Sequence, residues 1–466
     1  MGTRTCICID LKSYYASVEC VARGLDPLKA RLLVADVSRS DQTICLAVSP
    51  ALKAIGVPSR PRLFEARQAI RLYDAKHRSK TQYYIATPRM AEYERISALI
   101  FSIYLHYVAP EDIHVYSIDE AFIDCTRYLY RFEKEAERRH VSPAHLMART
   151  MIREVLDRTG ITATVGIGTN LYLAKVAMDI VAKKAPADED GVRIAELDER
   201  SYCELLWKHT PLTDFWGLGP GKAKRLMDAH LTCMGDIAVR SVKDEEFFYR
   251  TFGIDGEILI DHAWGIEPVT MRDIKSYKSE AHSLSSGQVL PRAYRFDEAR
   301  LVLGEMTDEL CARMFRRQLL SGIYTWWVSY DWRSLEVCPQ YEGQVVVDFY
   351  GRLHPKHVNG TVRLTEETNS SVTVGRALLA SFDKKADPRL LFRRLGVCAD
   401  RTVSENGAVQ LSLFTDYAAL EKEAAVQAAM GEVRRRFGPG ALFKGKNLLE
   451  GSTALERGMQ IGGHRA

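Results

Sequence analysis

The strongest indication of the fold is the segment Val115-Tyr116-Ser117-Ile118-Asp119-Glu120-Ala121-Phe122-Ile123-Asp124. The apolar and aromatic residues on both sides of its carboxylate pair predict the two short strands of a hairpin. A further carboxylate, Asp10, ends the apolar run Cys6-Ile7-Cys8-Ile9. Because a sheet gathers strand ends that lie far apart in the chain, we expect Asp10, Asp119 and Glu120 to meet at one edge of a mixed α/β layer. Three carboxylates that meet in this way could hold divalent cations.

Each of these signals has a plainer interpretation when it is taken singly. An Asp after a strand is usually a turn residue or a helix cap, and an Asp-Glu pair is usually a solvated tip. The hypothesis of a cation site therefore depends on the rest of the chain.

Length and composition indicate a multidomain globular protein. The chain has 466 residues, of which 46% are hydrophobic and 27% are charged. A chain of this length is expected to form about two to four domains. Its 64 basic residues nearly balance 60 acidic ones, so the net charge of +4 permits a nucleic-acid partner without requiring one.

The cysteine pattern argues against a zinc site or a disulfide framework. The ten cysteines show no C-x-x-C spacing. Reduced thiols in a cytoplasmic protein are the expectation. No run approaches the ~18 apolar residues of a membrane span, and no signal peptide precedes the first strand, so no membrane partner is expected.

Periodicity predicts alternating strands and helices along the whole chain. The predicted strands include 5–11, 43–48, 161–168, 323–330, 343–349 and 371–374. The predicted helices include 90–106, 145–158, 296–319 and 387–395.

A glycine-rich run, Gly217-Leu218-Gly219-Pro220-Gly221, precedes a basic helix that contains Lys222 and Lys224. Glycines let a backbone approach a ligand closely, and the N-terminus of a helix favours phosphate. The pattern is typical of a helix-hairpin-helix clamp on the DNA backbone. The alternative is a plain glycine turn between core helices.

Several motifs in combination, and in the same order, resemble those of the Y-family DNA polymerases. They are Asp10-Leu11-Lys12-Ser13-Tyr14-Tyr15-Ala16-Ser17-Val18-Glu19, Tyr116-Ser117-Ile118-Asp119-Glu120-Ala121, Val165-Gly166-Ile167-Gly168-Thr169-Asn170 with Leu173-Ala174-Lys175, and the glycine hairpin. The run Ala51-Leu52-Lys53-Ala54-Ile55-Gly56-Val57 is similar to the UmuC-like branch. The resemblance covers most of the chain.

The resemblance implies an α+β multidomain fold, a right-hand polymerase. Its expected parts are a ferredoxin-like palm (1–22 and 80–190), small fingers (23–79), a helical thumb with the helix-hairpin-helix (191–272), a linker (273–284), an α/β little finger (285–402), a clamp-binding segment (403–416) and a C-terminal helical tail (417–466).

The resemblance also implies a site for two Mg²⁺ ions that catalyses nucleotidyl transfer. Asp10 and Asp119 would bridge both ions. Glu120 would bind the ion nearer the primer, and the carbonyl of Leu11 would complete the other.

The expected nucleotide site lies at the strand-to-helix junction after Asp10. The backbone amides of Lys12, Ser13, Tyr14 and Tyr15 would cradle the triphosphate. Tyr15 would act as a steric gate whose ring excludes a ribose 2′-hydroxyl. The alternative for Tyr15 is a core tyrosine on the first turn of the helix.

The phosphate-binding side chains depart from the family pattern. Many members place a tyrosine and an arginine of the fingers on the triphosphate, where this chain has Pro50 and Lys53. Lys53 supplies a point charge without the bidentate fork of arginine. A second phosphate lysine of the family matches Lys183 with an offset of one residue, and Lys184 is an equal candidate.

The pentapeptide Gln410-Leu411-Ser412-Leu413-Phe414 resembles the peptide by which bacterial proteins bind the sliding clamp. Gln410 would reach a polar notch, while Leu411, Leu413 and Phe414 would fill an apolar pocket. The alternative is an edge strand. The tail that follows would bind a partner or DNA, or cover this peptide.

Taken together, the resemblance implies a bacterial translesion polymerase of the SOS response to DNA damage, acting in the cytoplasm on primer-template DNA and dNTP. Its further candidate partners are the sliding clamp, a UmuD-like subunit and a recombinase filament. Two alternatives stay open. One is a catalytically weak accessory factor that binds the clamp and DNA; the other is a nucleotide cyclase, which the glycine hairpin and the clamp-like peptide disfavour.

Overall fold

The computed structural model describes residues 4–278, 282–405, 416–438 and 440–465. The chain divides into two compact units, the first ending at Lys278 and the second beginning at Ser279. The division lies inside the range 273–284 that was expected to be a linker. The start of that range is helical, because a helix extends over Met271–Ser276. None of the described helices is long and apolar enough to cross a membrane.

The first unit contains a five-stranded sheet and a three-stranded sheet. Its strands are β1 Cys6–Leu11, β2 Leu32–Val34, β3 Ala47–Val48, β4 Tyr84–Ala86, β5 Ile113–Val115, β6 Glu120–Asp124, β7 Ala163–Gly168 and β8 Arg193–Leu197. The larger sheet has the order β5-β6-β1-β7-β8, and the smaller one has the order β3-β2-β4. The strands of the smaller sheet lie between β1 and β5 in the sequence. The strand β1 is central and antiparallel to both neighbours, which agrees with its nearly continuous apolar run.

Thirteen helices of the first unit are described. They are α1 Tyr14–Val21, α2 Pro50–Lys53, α3 Leu63–His77, α4 Met90–Tyr104, α5 Glu133–Arg139, α6 Pro143–Thr159, α7 Leu171–Val176, α8 Glu199–Leu206, α9 Pro220–Asp228, α10 Met234–Lys243, α11 Glu246–Phe252, α12 Asp255–Ala263 and α13 Met271–Ser276. The expected helices 90–106 and 145–158 correspond to α4 and α6. The helix α3 was missed. In the expected strand 43–48, only Ala47–Val48 forms a strand.

The helix α7 packs unusually close to β7, and two glycines permit this. A Cβ on Gly166 would lie 2.0 Å from the carbonyl oxygen of Ala174, and one on Gly168 would lie 2.4 Å from its amide nitrogen. Any larger residue would push the helix off the sheet. These glycines therefore fix where α7 and the residues after it lie relative to β1.

The second unit is a sheet with two helices on one face. Its strands are β9 Ser283–Tyr294, β10 Leu319–Tyr330, β11 Val345–Val347, β12 Leu353–Pro355, β13 Val358–Thr368, β14 Phe392–Asp400, β15 Val403–Ser404, β16 Gln460–Ile461 and β17 His464–Arg465, and its helices are α14 Phe296–Arg316, α15 Ser334–Val337, α16 Ser371–Lys385, α17 Tyr417–Phe437 and α18 Ala454–Gly458. The main sheet has the order β13-β10-β14-β9. Its core centres on the buried rings of Trp326, Phe382 and Phe392.

Two predictions for the second unit are wrong. The run 371–374 was expected to be a strand, but it opens α16, because the Ser370 side chain accepts a hydrogen bond from the amide of Thr373 and caps the helix. The range 387–395 was expected to be a helix, but Phe392 begins β14, where Leu395, Val397 and Ala399 are buried in alternation. In both cases the residue composition of the segment predicted the wrong type of secondary structure.

The described part of the C-terminal tail belongs to the second unit and contacts α14 of that unit. Glu305 of α14, only 2% exposed, accepts hydrogen bonds from the side chains of Asn447 and Ser452 and from the amide of Thr453. The proposed clamp residues Gln410, Leu411, Leu413 and Phe414 lie outside the described residues.

Candidate active site

The end of β1 and the start of β6 bring the acidic residues to one edge of the five-stranded sheet. Asp10 stands directly opposite Glu120 in the antiparallel register. The amide of Leu11 donates to the carbonyl oxygen of Asp119 at 2.9 Å, which fixes the preceding residue of the hairpin. The backbone thus places Asp10, Asp119 and Glu120 at neighbouring positions, as the sequence predicts.

Two lysines supply positive charge at this edge, and one of them, Lys175, has no role in the sequence-based prediction. The ammonium of Lys175 lies 2.7 Å from Oε1 of Glu120 and 2.9 Å from Oδ2 of Asp179. The ammonium of Lys183 lies 2.7 Å from Oδ1 of Asp179 and 3.9 Å from Oδ2 of Asp10. Positive and negative groups therefore alternate from Asp10 to Glu120. The i, i+4 spacing of residues 175, 179 and 183 was the signal that would have found them.

The offset of Lys183 from the family pattern has a structural counterpart. The chain after α7 runs as a π-helical turn over Ala177–Val181. A π turn accommodates one extra residue in a helix. Lys183 nevertheless contacts Asp179 and approaches Asp10, so of the two candidate lysines the geometry favours Lys183 over Lys184.

The chemistry of the carboxylates suits a hard divalent cation, although their side chains do not converge on one. Among the described residues, no three or more His, Cys, Asp or Glu side chains are grouped so that they could hold a metal ion. Glu120 is turned to Lys175, and Oδ1 of Asp119 accepts a hydrogen bond from the Ser117 hydroxyl at 2.7 Å. The donor set of carboxylate oxygens fits Mg²⁺, and the backbone positions fit, but side-chain rotation is required.

The ionisation of the site reflects its burial. Burial raises the pKa of Asp10 to about 6, and the nearby Asp119 and Glu120 add to this, while Lys183 opposes it. For Lys175, burial favours the neutral amine, but the carboxylates of Asp179 and Glu120 outweigh it and raise the pKa above the usual value. Lys175 is therefore a charged ammonium in this edge.

The junction between β1 and α1 is sharply turned. Ser13 has the left-handed backbone conformation with φ 48°, which is uncommon for a residue other than glycine. Its hydroxyl accepts a hydrogen bond from the Lys53 ammonium at 2.9 Å, so this lysine of the region after β3 reaches the turn. The amide of Lys12 donates to the carbonyl of Thr162 at 3.0 Å, so in this structure it is engaged in the sheet and not directed at a ligand. The amides of Ser13, Tyr14 and Tyr15 stand at the start of α1.

Tyr15 is partly exposed and is supported from beneath. Its ring stacks on that of Tyr93, with centroids 4.4 Å apart and an interplanar angle of 18°. The Tyr93 hydroxyl donates to buried Glu19 at 2.9 Å, and Glu19 also accepts from Arg89. The core tyrosine of this turn is Tyr14, whose hydroxyl donates to the carbonyl of Tyr93. This arrangement favours the gate interpretation of Tyr15 over the core alternative.

The glycine-rich hairpin is open, but its lysines have partners. Gly217 has φ +83°, and a Cβ on Gly217, Gly219 or Gly221 would meet nothing within 4 Å. The expected basic helix that contains Lys222 and Lys224 is α9, which begins at Pro220, inside the glycine-rich run. Lys222 pairs with Asp255 of α12 at 2.9 Å, and Lys224 pairs with Asp228 at 2.9 Å. Phosphate contacts from these lysines would compete with the carboxylates.

Comparison with known proteins decides the family. A family model described as the impB/mucB/samB family matches residues 9–179, and the model of the C-terminal domain of this family matches residues 281–413. The chain belongs to the impB/mucB/samB family, the Y family of DNA polymerases. The first match contains Asp10, Asp119, Glu120, the turn at Ser13 and two of the three charged residues that follow β7, Lys175 and Asp179.

Relatives of this Y-family chain match it over nearly its whole length. It is 27% identical to a putative UV-damage repair protein, UvrX, of Bacillus subtilis, over 99% of this chain and 97% of the relative. It is 29% identical to DNA polymerase IV 2 of the same organism, over 100% of this chain and 99% of the relative. The DNA polymerase IV 2 of Halalkalibacterium halodurans is 27% identical, with 98% of each chain covered.

A solved structure supports the fold of this Y-family chain. A chimeric Y-family DNA polymerase matches 86% of it and is itself covered to 99%, with a TM-score of 0.58 and 18% sequence identity. The expected α+β multidomain architecture of palm, fingers, thumb and little finger is confirmed. That the five-stranded sheet belongs to the palm and that the second unit contains the little finger stays a prediction.

Proposed function

We propose that this chain is a template-directed DNA polymerase that performs error-prone translesion synthesis by two-metal nucleotidyl transfer in the bacterial response to DNA damage. The observation that carries the proposal is the placement of Asp10 opposite Glu120, with Asp119 beside them, at the open edge of the palm sheet. Relatives named DNA polymerase IV 2 cover the whole chain, which supports the same reaction here.

The carboxylates would hold the cofactor as the family resemblance implies. Asp10 and Asp119 would contact both cations, Glu120 the one nearer the primer, and the carbonyl of Leu11 the other. Two Mg²⁺ ions would supply activation of the primer 3′-hydroxyl and neutralisation of the leaving pyrophosphate. The residues of this chain thus act mainly by position and charge.

Nucleotide recognition would use the turn after β1. The amides of Ser13, Tyr14 and Tyr15, with that of Lys12 if it leaves Thr162, would face the triphosphate. Lys183 and Lys53 would supply positive charge on either side of it. Pro50 at the first position of α2 contributes no hydroxyl, so Lys53 is the contact that this part of the fingers offers.

The glycine-rich hairpin of the thumb would bind DNA, and the C-terminal part of the chain would bind partner proteins. Gly217, Gly219 and Gly221 would approach a backbone phosphate together with Lys222 and Lys224. The peptide 410–414 would bind the sliding clamp. A UmuD-like subunit and a recombinase filament are further candidate partners, and the cytoplasm is the expected compartment.

Primer extension tests the reaction. On undamaged and abasic templates with Mg²⁺, Asp119→Asn should reduce extension about 1000-fold or more, as expected when a group that acts in the transition state is lost. The matched control is Asp157→Asn, which changes an exposed carboxylate of α6 and should leave extension unchanged. If the unchanged chain binds DNA but does not extend primers, the accessory-factor alternative is favoured.

Sugar selection tests the role of Tyr15. Tyr15→Ala should raise ribonucleotide incorporation relative to deoxyribonucleotide incorporation by about 10-fold or more, because the ring beneath the sugar is removed. Tyr84→Ala is the control, since Tyr84 is an exposed tyrosine on β4. An unchanged ratio in the Tyr15 variant would refute the gate.

A further inference from the structure

The buried ammonium of Lys175 has no task in the proposed reaction. Its side chain is 9% exposed and makes ion pairs with Glu120 and Asp179. The ring of Tyr116 covers it, with the nitrogen 5.9 Å from the ring centroid. A charged group is costly to bury, so a fully paired lysine at this position requires an explanation.

Lys175 acts on one particular oxygen of Glu120. The same atom, Oε1, also accepts a hydrogen bond from the thiol of Cys8 at 3.4 Å. Burial holds the pKa of Cys8 well above its usual range, so the sulfur keeps its proton and remains a donor. Two buried donors on one oxygen fix the orientation of the carboxylate.

Lys175 also accounts for the absence of a ready-made cation site. Asp10, Asp119, Glu120 and Asp179 would repel one another strongly without nearby positive charge. In the described structure, the charge opposite Glu120 is supplied by the ammonium, and no group of three acidic side chains converges. A divalent cation that binds Glu120 must share it with Lys175 or displace it.

We propose that Lys175 is a positioning residue that serves as the resident counter-ion of Glu120, holding the carboxylate in the metal-free enzyme and competing with a divalent cation for it. Lys175 thereby sets the cation affinity of the site as well as the orientation of Glu120. This inference rests on the proposed function, because it takes the acidic edge to be a divalent-cation site.

Lys183 provides a matched comparison on the same charged edge. It shares Asp179 with Lys175, but its side chain is 48% exposed and its nearest approach to Asp10 is 3.9 Å. An exposed ammonium is screened by water, so its removal perturbs the site less. The two lysines therefore separate a specific effect on Glu120 from a general change in charge.

The experiment measures Mn²⁺ binding to the full-length protein without DNA, from the electron paramagnetic resonance signal of free Mn²⁺. Lys175→Met should lower the dissociation constant about 10-fold, because a competing positive charge is removed. Lys183→Met should lower it only about 2- to 3-fold. Lys175→Arg should keep the wild-type value, because the charge is retained.

Primer extension over a range of Mg²⁺ concentrations gives the second readout. Lys175→Met should reach half of its maximal rate at a lower Mg²⁺ concentration, while the maximal rate falls about 10- to 100-fold, because Glu120 is no longer oriented. A purely structural role for Lys175 would not produce opposite changes in cation affinity and rate.

The outcomes are distinguishable. If the unchanged protein binds no Mn²⁺, the proposed two-metal function fails. If it binds Mn²⁺ and a cooperatively melting Lys175→Met has the same or weaker affinity, the inference about Lys175 is overturned. If Lys175→Met does not fold, Lys175→Gln replaces it, and the same increase in affinity is required.

Discussion

Two glutamates of low exposure, Glu120 in the first unit and Glu305 in the second, have partners of opposite kinds. Glu120, at the edge of the five-stranded sheet, contacts the ammonium of Lys175, a full positive charge. Glu305 in the second unit faces the neutral side chains of Asn447 and Ser452 and the amide of Thr453. The Glu120 side chain is 11% exposed and Glu305 is 2% exposed, but only Glu120 is balanced by a directly bonded cation.

The difference separates a chemical site from an architectural one. A carboxylate that is held by an ammonium can exchange it for a metal ion of higher charge, because both partners are cations. A carboxylate that is held by amide and hydroxyl donors cannot give them up without leaving buried donors unsatisfied. Glu120 is therefore suited to binding, whereas Glu305 fixes the tail to α14.

The largest effect should follow from Glu120→Gln. The amide removes one negative ligand, so primer extension should fall about 100- to 1000-fold. The melting temperature should fall only modestly, because the Lys175 ammonium loses one partner but keeps its ion pair with Asp179. Extension assays and thermal melts of the purified variant measure both quantities; a large loss of stability with normal activity would erase the contrast with Glu305.

The converse effect should follow from Glu305→Ala. Loss of this acceptor leaves three buried donors unpaired, so the free energy of unfolding should fall by about 2–4 kcal/mol. Extension at a temperature at which the variant is folded should stay close to the unchanged rate. Glu305→Gln keeps one acceptor oxygen and should lose less stability; an equal loss in both variants would argue against the hydrogen bonds as the cause.

A third effect concerns pH. The pKa of Asp10 is raised to about 6 from 3.8, so a proton must leave before this carboxylate binds a cation. The affinity for Mn²⁺ should therefore fall about tenfold per pH unit below about 6. In the metal-free protein, the folded state binds this proton more tightly than the unfolded state does. Asp10 therefore makes the free energy of unfolding fall as pH rises, whereas an ion-paired acid makes it rise.

The contribution of Asp10 to the free energy of unfolding should therefore decrease as pH rises from about 4 to about 6 and be constant above that range. The measurement is the difference between denaturant melts of the unchanged protein and Asp10→Asn. The free energy of unfolding of the unchanged protein minus that of Asp10→Asn should fall as pH rises through this window. If this difference rises instead, the raised pKa of Asp10 is contradicted.

The smallest effect should come from the thumb, where charges are paired but exposed. Lys222→Ala should weaken binding of primer-template DNA about 3-fold and lower the salt dependence by about one phosphate contact. Asp255→Asn, which frees Lys222 from its partner, should strengthen binding slightly. If neither variant changes the salt dependence of DNA binding, Lys222 does not contact a phosphate and serves only in its ion pair with Asp255.

The sequence predicted the fold well where one segment carries the whole signal. The apolar run at Cys6–Leu11 and the carboxylate hairpin gave the central strands, and the acidic residues stand at the expected edge. It failed at 371–374 and 387–395, because a cap at Ser370 and burial of β14 between two strands override local composition.

Within the site, sequence motifs predicted the carboxylates and Tyr15 but assigned no role to Asp179 or Lys175. Both are polar residues on a helix, and such residues are usually solvated. Only the close approach of α7 to β7, which Gly166 and Gly168 allow, turns Lys175 toward Glu120.

The sequence was sufficient to establish the family and the identity of the acidic edge, because motifs are properties of short segments. The partner of each charged group, in contrast, follows only from the way the elements pack in three dimensions. Lys175 with Glu120, Glu305 with Asn447 and Lys222 with Asp255 join residues on different elements. Such pairings depend on how surfaces pack, and this information is not contained in any one segment.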